Sequence, residues 1–222
     1  MIRCVVFDLD GTLLYTLKSI LYHLNNTLSE NGLEKITIDQ CREFIGNGAR
    51  LLVTRAVGIS GVDDEDTISR VLKEYNAAYN SEPLPYTYPY EGITELVDQL
   101  VERGMTVGIV TNKPEPTARQ LAHHFFSDKI SFVRGGRAGA VLKPDPSDTL
   151  AAIDGVGLSA DDTAFVGDTS VDIITGKNAG VALTFGVEWG FRDCRELSDA
   201  GADHIVRVPS EILSVIEKYE EN

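Results

Sequence analysis

The chain has 222 residues, 43% of them apolar and 24% charged, which is the balance of an ordinary globular protein and not of a disordered one. Its formal net charge is −14, with 34 acids against 20 bases, and this argues against a nucleic-acid partner, whose phosphates call for clustered Lys and Arg. No apolar run reaches membrane-spanning length and no signal-peptide pattern is present, so a cytoplasmic protein without a membrane partner is expected.

The first element is a strand over Ile2–Phe7, mostly apolar and β-favouring, as in a buried parallel sheet. It runs into Asp8-Leu9-Asp10 and then the turn residues Gly11-Thr12. Acids two apart on an extended segment project to the same side. They repel unless a cation or a shared proton lies between them. A solvated strand end would look the same, so the rest of the chain has to decide.

Residues 15 to about 82 read as helical throughout. Leu17, Ile20, Leu21, Leu24 and Leu28 keep helical spacing, and Gly32 follows as a stop. Thr37 and Gln40 form a capping-box pattern opening a helix through Ile45. Gly46-Asn47-Gly48 breaks it, a further helix reaches about Val57, and another covers Asp64–Tyr79. The stretch "EPLPYTYPYEG" reads as a linker.

From there helices and strands alternate. Strands are predicted at Thr106–Val110, Ile130–Val133, Thr163–Val166, Val181–Phe185 and His204–Val208. Helices are predicted at Glu91–Arg103, Glu115–Phe125 and Ser147–Asp154, from Val171, and after Pro209. This is an α/β pattern, a Rossmann-like doubly wound parallel sheet interrupted after its first strand by an all-α insertion. The expected division is residues 1–14 and 84–222 for the core and 15–83 for the helical cap.

Open α/β sheets bind ligands at the carboxyl ends of their strands. Asp8 and Asp10 end the first strand, Thr111-Asn112-Lys113 the second and Asp168 the fourth, with Asp172 four residues on. Lys143 lies in the loop after the third. Each alone is an ordinary cap, turn or loop residue; together they predict one polar cleft. The four histidines show no ligand spacing, and Trp189 reads as packing.

In order, "DLDGTL", "VTNKP", "KPDP" and "FVGDTSVD" resemble the four motifs of the haloacid dehalogenase superfamily of phosphohydrolases. Within it, "FIGNGARLLVTRAVG", "VTNKPEP" and "AGADHIV" resemble phosphoglycolate phosphatases. Where that family continues DGTL with x-Asp-Ser, this chain has Leu14-Tyr15-Thr16, with Tyr15 at the hinge into the cap.

The resemblance implies a Mg²⁺-dependent phosphomonoesterase acting on a small phosphorylated metabolite, with 2-phosphoglycolate foremost. Asp8 would be the nucleophile and a metal ligand. The Asp10 carbonyl and Asp168 would add metal ligands, with Asp172 behind them holding the metal's waters or orienting Lys143. Asp10 would also serve as general acid and base, Thr111 and Lys143 would hold the transferring phosphoryl group, and backbone N–H groups around Gly11-Thr12, with Asn112, would complete its cradle. Asn47 and Arg50 are candidates for the leaving group, although a helical corner with a surface arginine fits that stretch equally. The enzymatic alternatives are pyrophosphate, a sugar phosphate or a nucleotide as substrate, or a phosphomutase similar to the β-phosphoglucomutases. The alternative outside enzymes is a phospho-Asp signalling module. The oligomeric state is left open.

Overall fold

The computed structural model describes residues 1–221. The chain opens with β1 (Cys4–Phe7) and β2 (Leu14–Tyr15), then passes through α1 (Leu17–Glu30), α2 (Ile38–Phe44), α3 (Ala49–Gly58) and α4 (Glu65–Ser81). After β3 (Tyr88–Pro89) it alternates: α5 (Ile93–Glu102), β4 (Thr106–Pro114), α6 (Glu115–Phe126), β5 (Phe132–Gly136), α7 (Ser147–Asp154), β6 (Thr163–Gly167), α8 (Ser170–Ala179) and β7 (Leu183–Val187). It ends with α9 (Cys194–Asp199), β8 (His204–Val206) and α10 (Ser210–Glu220).

Six strands form one parallel sheet in the order β5-β4-β1-β6-β7-β8, the doubly wound arrangement that the alternation predicts. The CVVF strand β1 lies between β4 and β6 with every side chain buried, as a central parallel strand covered on both faces requires. Phe7 is level with Ile109 of β4 and Val166 of β6. Asp8, Thr111 and Asp168 therefore follow at the same edge of the sheet.

Helices α1–α4 form a separate layer over that edge. They bury an apolar cluster of their own that includes Leu24, Leu28, Val53, Val57, Val71 and Tyr75. The Thr37–Gln40 capping box opens α2 as the sequence predicts, and Asp64 caps α4 by accepting from the Thr67 N–H.

Several predicted boundaries differ: β1 starts at Cys4, β5 covers Phe132–Gly136 and β8 ends at Val206, and three further differences have a clear physical reason. The "EPLPYTYPYEG" linker contains β3, which pairs antiparallel with β2 so that Tyr15 faces Tyr88, the rings stacked at 5.0 Å. A two-residue ribbon is too short to leave an alternating pattern. Strand β4 continues through Thr111-Asn112-Lys113 to Pro114, which meets Gly136 of β5 across a register irregularity. β7 starts two residues later than predicted, because Gly180 ends α8 at φ +67° and the Val181 N–H turns back to the Gly176 carbonyl. The short helix α9 was not predicted: only Leu197 in it is buried, too little to carry a period.

Candidate active site

Between the sheet edge and the helical layer lies a cleft of about 50 Å³. It is lined from the sheet by Asp8, Asp10, Thr111, Asn112, Lys113, Lys143, Thr169 and Asp172. From the helices come Ile20, Ile45, Gly46, Gly48, Ala49, Leu52, Tyr75 and Tyr79, and Phe191 closes one wall. The floor is charged and the roof is apolar apart from two tyrosine hydroxyls.

The floor is organised by two lysines. Lys143 Nζ lies 2.8 Å from Asp8 Oδ1 and 2.6 Å from Asp172 Oδ1. Lys113 Nζ lies 2.9 and 3.2 Å from the two oxygens of Asp10. The two acids of the first strand thus each have a lysine of their own, and this relieves much of the repulsion that the Asp-x-Asp pattern implies.

Asp172 is the third residue of α8 and closes a capping box with Thr169. Its Oδ2 accepts the Thr169 N–H at 3.0 Å and hydroxyl at 2.8 Å, which leaves Oδ1 for Lys143. Asp168 is fully buried; it accepts the Thr12 hydroxyl at 3.1 Å and the Phe191 N–H at 2.8 Å. Two glycines make room for it. A Cβ on Gly11, which has φ +86°, would stand 2.3 Å from an Asp168 oxygen, and one on Gly190 would stand 2.1 Å from its Cβ.

Oxygens of Asp8, Asp168 and Asp172 lie within 4.8 Å of one another, all in buried side chains. Burial pushes the Asp8 carboxyl up to about 6; Lys143 opposes the shift, while Asp172 and Asp10 add to it. Burial raises Asp168 well above the usual carboxylate range, helped by Asp172 and Asp8. Burial alone would lower Lys143, but Asp172 and Asp8 outweigh it and raise the ammonium. Three hard-oxygen donors converge here, and in two of them, Asp8 and Asp168, burial disfavours the charged form, which a divalent cation such as Mg²⁺ would relieve, so the residues fit such an ion.

A pH dependence follows. An acid raised in the folded state binds more protons there than in the unfolded chain, so its contribution to stability is present below the unfolded value and is lost as pH rises towards about 6. In chelator, thermal unfolding should come earlier at pH 7.5 than at pH 5. Added Mg²⁺ should raise Tm, and more at pH 7.5. A Tm unmoved by Mg²⁺ at both pH values would remove the acidic cluster as a cation site.

Several predicted residues sit differently from expectation. The Gly11 N–H is spent on the Leu14 carbonyl at 2.9 Å, and Thr12 supports Asp168; neither lines the cleft. Asn112 lines it, but its amide is engaged with backbone. Its Nδ2 donates to the carbonyls of Gly46 and Lys143 at 3.0 and 3.1 Å, and its Oδ1 accepts the Lys143 N–H at 2.8 Å. It joins the loop before α3 to the loop of Lys143. Arg50 points away from the cleft into an exposed pair with Glu65 at 2.6 Å, and Asn47 is not among the lining residues although its neighbours Gly46 and Gly48 are.

Sequence reasoning passed over Tyr79, whose hydroxyl accepts from Lys113 Nζ at 2.7 Å, and Phe191, whose N–H holds Asp168. It also passed over Arg192, which donates to the carbonyls of Arg42, Glu43 and Ile45 at the end of α2 at 2.7, 3.2 and 2.9 Å. Cationic donors suit the carbonyl end of a helix, and this one fastens the helical layer to the loop that also carries Phe191. Trp189 packs as predicted, its Nε1–H donating to the Thr12 carbonyl at 3.0 Å.

Residues 5–185 match the family model for haloacid dehalogenase-like hydrolases. The chain is 38% identical over 187 residues to the phosphoglycolate phosphatase of Rhodospirillum rubrum, covering 82% of this chain and 78% of that protein. It is 33% identical over 196 residues to phosphoglycolate phosphatase 1 of Pseudomonas aeruginosa, covering 85% and 71%. A crystal structure described as a predicted phosphoglycolate phosphatase from Haemophilus somnus superposes with a TM-score of 0.89 at 25% identity, over 97% of this chain and 98% of that one. Family model, relatives and shared fold agree with the charged cleft at the sheet edge: the chain belongs to the haloacid dehalogenase-like hydrolase family, among its phosphatases.

Proposed function

We propose that the protein is a Mg²⁺-dependent phosphomonoesterase for a small phosphorylated metabolite, 2-phosphoglycolate first among them, that works through an aspartyl-phosphate on Asp8. The observation that carries this is the opposed pairing of two neighbouring acids, Asp8 with Lys143 and Asp10 with Lys113, in one cleft. One acid is set beside a cationic phosphate site; the carboxyl of the other lies outside the acidic cluster of Asp8, Asp168 and Asp172, on what would be the leaving-group side.

Asp8 attacks phosphorus and the bond to the leaving oxygen breaks, which replaces one difficult displacement by two easier ones. Asp10 gives a proton to the departing alkoxide, then takes one from the water that cleaves the aspartyl-phosphate. Lys143 and Thr111 meet the charge on the transferring oxygens. Mg²⁺ would be held by Asp8 and Asp168 with the Asp10 carbonyl, Asp172 standing behind, and would screen the nucleophile from the anionic phosphate. The α1–α4 layer, residues 15–83, serves as a cap that excludes water and reads the leaving group.

The small cleft favours a small leaving group over a nucleotide. The names of the relatives favour phosphoglycolate over pyrophosphate or a sugar phosphate, and hydrolysis over a phosphomutase reaction. Among the described residues no helix is long and apolar enough to cross a membrane. Of the three free thiols, Cys4 and Cys41 are buried, and burial pushes each up to about 12, which keeps them unreactive.

Phosphate release from a panel of small phosphate esters with Mg²⁺ tests the proposal. The wild type should turn over 2-phosphoglycolate best, and Asp10→Asn should lose about 10²–10⁴-fold on alkyl esters. A different preferred ester, still lost in Asp10→Asn, would keep the mechanism and discard the substrate. No release from any ester would overturn the assignment.

A further inference from the structure

Lys113 carries more of the site's geometry than its place beside a Thr-Asn pair suggests. Its side chain is 2% exposed and that of Asp10 is 13% exposed. An ammonium has three donors. Here they meet Asp10 Oδ1 at 2.9 Å, Asp10 Oδ2 at 3.2 Å and the Tyr79 hydroxyl at 2.7 Å, with Nζ 4.3 Å from the centre of the Tyr79 ring. The other cleft lysine is committed to Asp8 and Asp172.

Asp10 and Lys113 belong to the sheet edge, whereas Tyr79 belongs to α4 of the helical layer. Tyr79 is itself held there, stacked on Tyr75 at 5.7 Å and packed beside His23 at 5.2 Å. The path from helix to lysine to carboxyl therefore crosses from one layer to the other at the leaving-group side of the cleft.

We propose that Lys113, backed by Tyr79, is a positioning residue that presents Asp10 to the leaving oxygen, so that the proton step proceeds only when the helical layer is docked. This rests on the proposed acid–base role of Asp10. Lys113 meets both oxygens of Asp10, the contact to Oδ1 being the shorter; holding Oδ1 fixes the plane of the carboxyl and so the direction in which Oδ2 is offered to the leaving oxygen. A displacement of about one ångström would spoil the alignment that proton transfer needs. With the layer undocked, Lys113 loses its third partner and its fixed direction.

Leaving-group dependence tests this. An alkyl phosphate needs the proton from Asp10, while p-nitrophenyl phosphate, with its acidic phenol, needs it little. The kcat/KM of wild type, Asp10→Asn, Lys113→Met and Tyr79→Phe would be compared on p-nitrophenyl phosphate and on the best alkyl ester of the panel, with thermal unfolding followed in parallel; this ratio reports transfer to Asp8 and not the hydrolysis of the aspartyl-phosphate that both substrates share. Lys113→Met should lose about 10- to 100-fold in kcat/KM on the alkyl ester and less than about threefold on the aryl one. Tyr79→Phe should show the same selectivity at about threefold.

Should Asp10→Asn be selective in kcat/KM while Lys113→Met loses both substrates equally, the positioning role falls and the role of Asp10 stands. If Asp10→Asn itself fails to discriminate in kcat/KM, the reading of Asp10 as the acid for the leaving group falls and the proposal with it. Should Lys113→Met not fold, Tyr79→Phe decides alone, and an unchanged kcat/KM ratio overturns the link to the helical layer.

Discussion

Replacing Asp8 by Asn should abolish turnover and leave the fold intact. The amide has the shape of the carboxylate and can still accept from Lys143, but it is no nucleophile towards phosphorus. The expected loss in phosphate release is on the order of 10⁴-fold or more, the scale seen when a covalent nucleophile is removed. Stability should move the other way from most core substitutions. Asp8 is buried, its charged form is disfavoured by that burial and by Asp172, and an uncharged side chain escapes both effects. In chelator at pH 7.5 the variant should unfold no earlier than the wild type. Residual activity within tenfold of wild type would sink Asp8 as the nucleophile.

The second large effect is expected at Lys143. Its Nζ lies between Asp8 and Asp172, with Asp168 in the same cluster, and its side chain is 4% exposed. Lys143→Met keeps the apolar stem and removes the ammonium that lies between Asp8 and Asp172. Breaking a buried pair costs about 3–5 kcal/mol, because the partner charge stays behind unpaired. Here two carboxylates are orphaned at once. Catalysis should fall about 10²–10³-fold through the lost stabilisation of phosphoryl charge. Excess Mg²⁺ should recover part of the lost Tm but none of the lost rate, since an ion at the acids replaces the charge of Lys143 without its position. A variant that melts with the wild type in chelator would show that Lys143 does not hold the cluster together.

What could be seen in the sequence was local or periodic. The Asp8–Asp10 pair, the capping box at Thr37, the alternation of helix and strand and the four strand-end motifs are all written within a few adjacent residues. Asp172 was legible for that reason, as an acid four positions beyond Asp168; its second role, closing the capping box of α8, came from the fold. What escaped depends on partners far along the chain. Asn112 is bonded to Lys143, 31 residues away, and to Gly46, 66 away, and no pattern in "VTNKP" says that its amide is already spent. Lys113 was grouped with the cleft lysines, but its pairing with Asp10 across 103 residues and with Tyr79 across 34 needed the fold. Arg50 sits away from the cleft for the opposite reason. Its local partner Glu65, 15 residues on, takes it outward, and nothing in the sequence weighs that pair against a ligand.

The two-residue ribbon of β2 and β3 carries a consequence for how such a chain can be altered. The polypeptide leaves the sheet at Tyr15 and returns at Tyr88, and those two residues are paired strand neighbours with stacked rings. In topological terms the four helices hang from the core as one enlarged hairpin loop, with entrance and exit a single strand spacing apart. A loop anchored this way can be lengthened, shortened or exchanged for another without rethreading any strand of the sheet, because closing it demands only that two adjacent ends meet. Under the proposed function, substrate choice and phosphoryl chemistry would then be housed on parts of the chain that can vary separately, provided that whatever replaces the helices brings its own partner for Lys113.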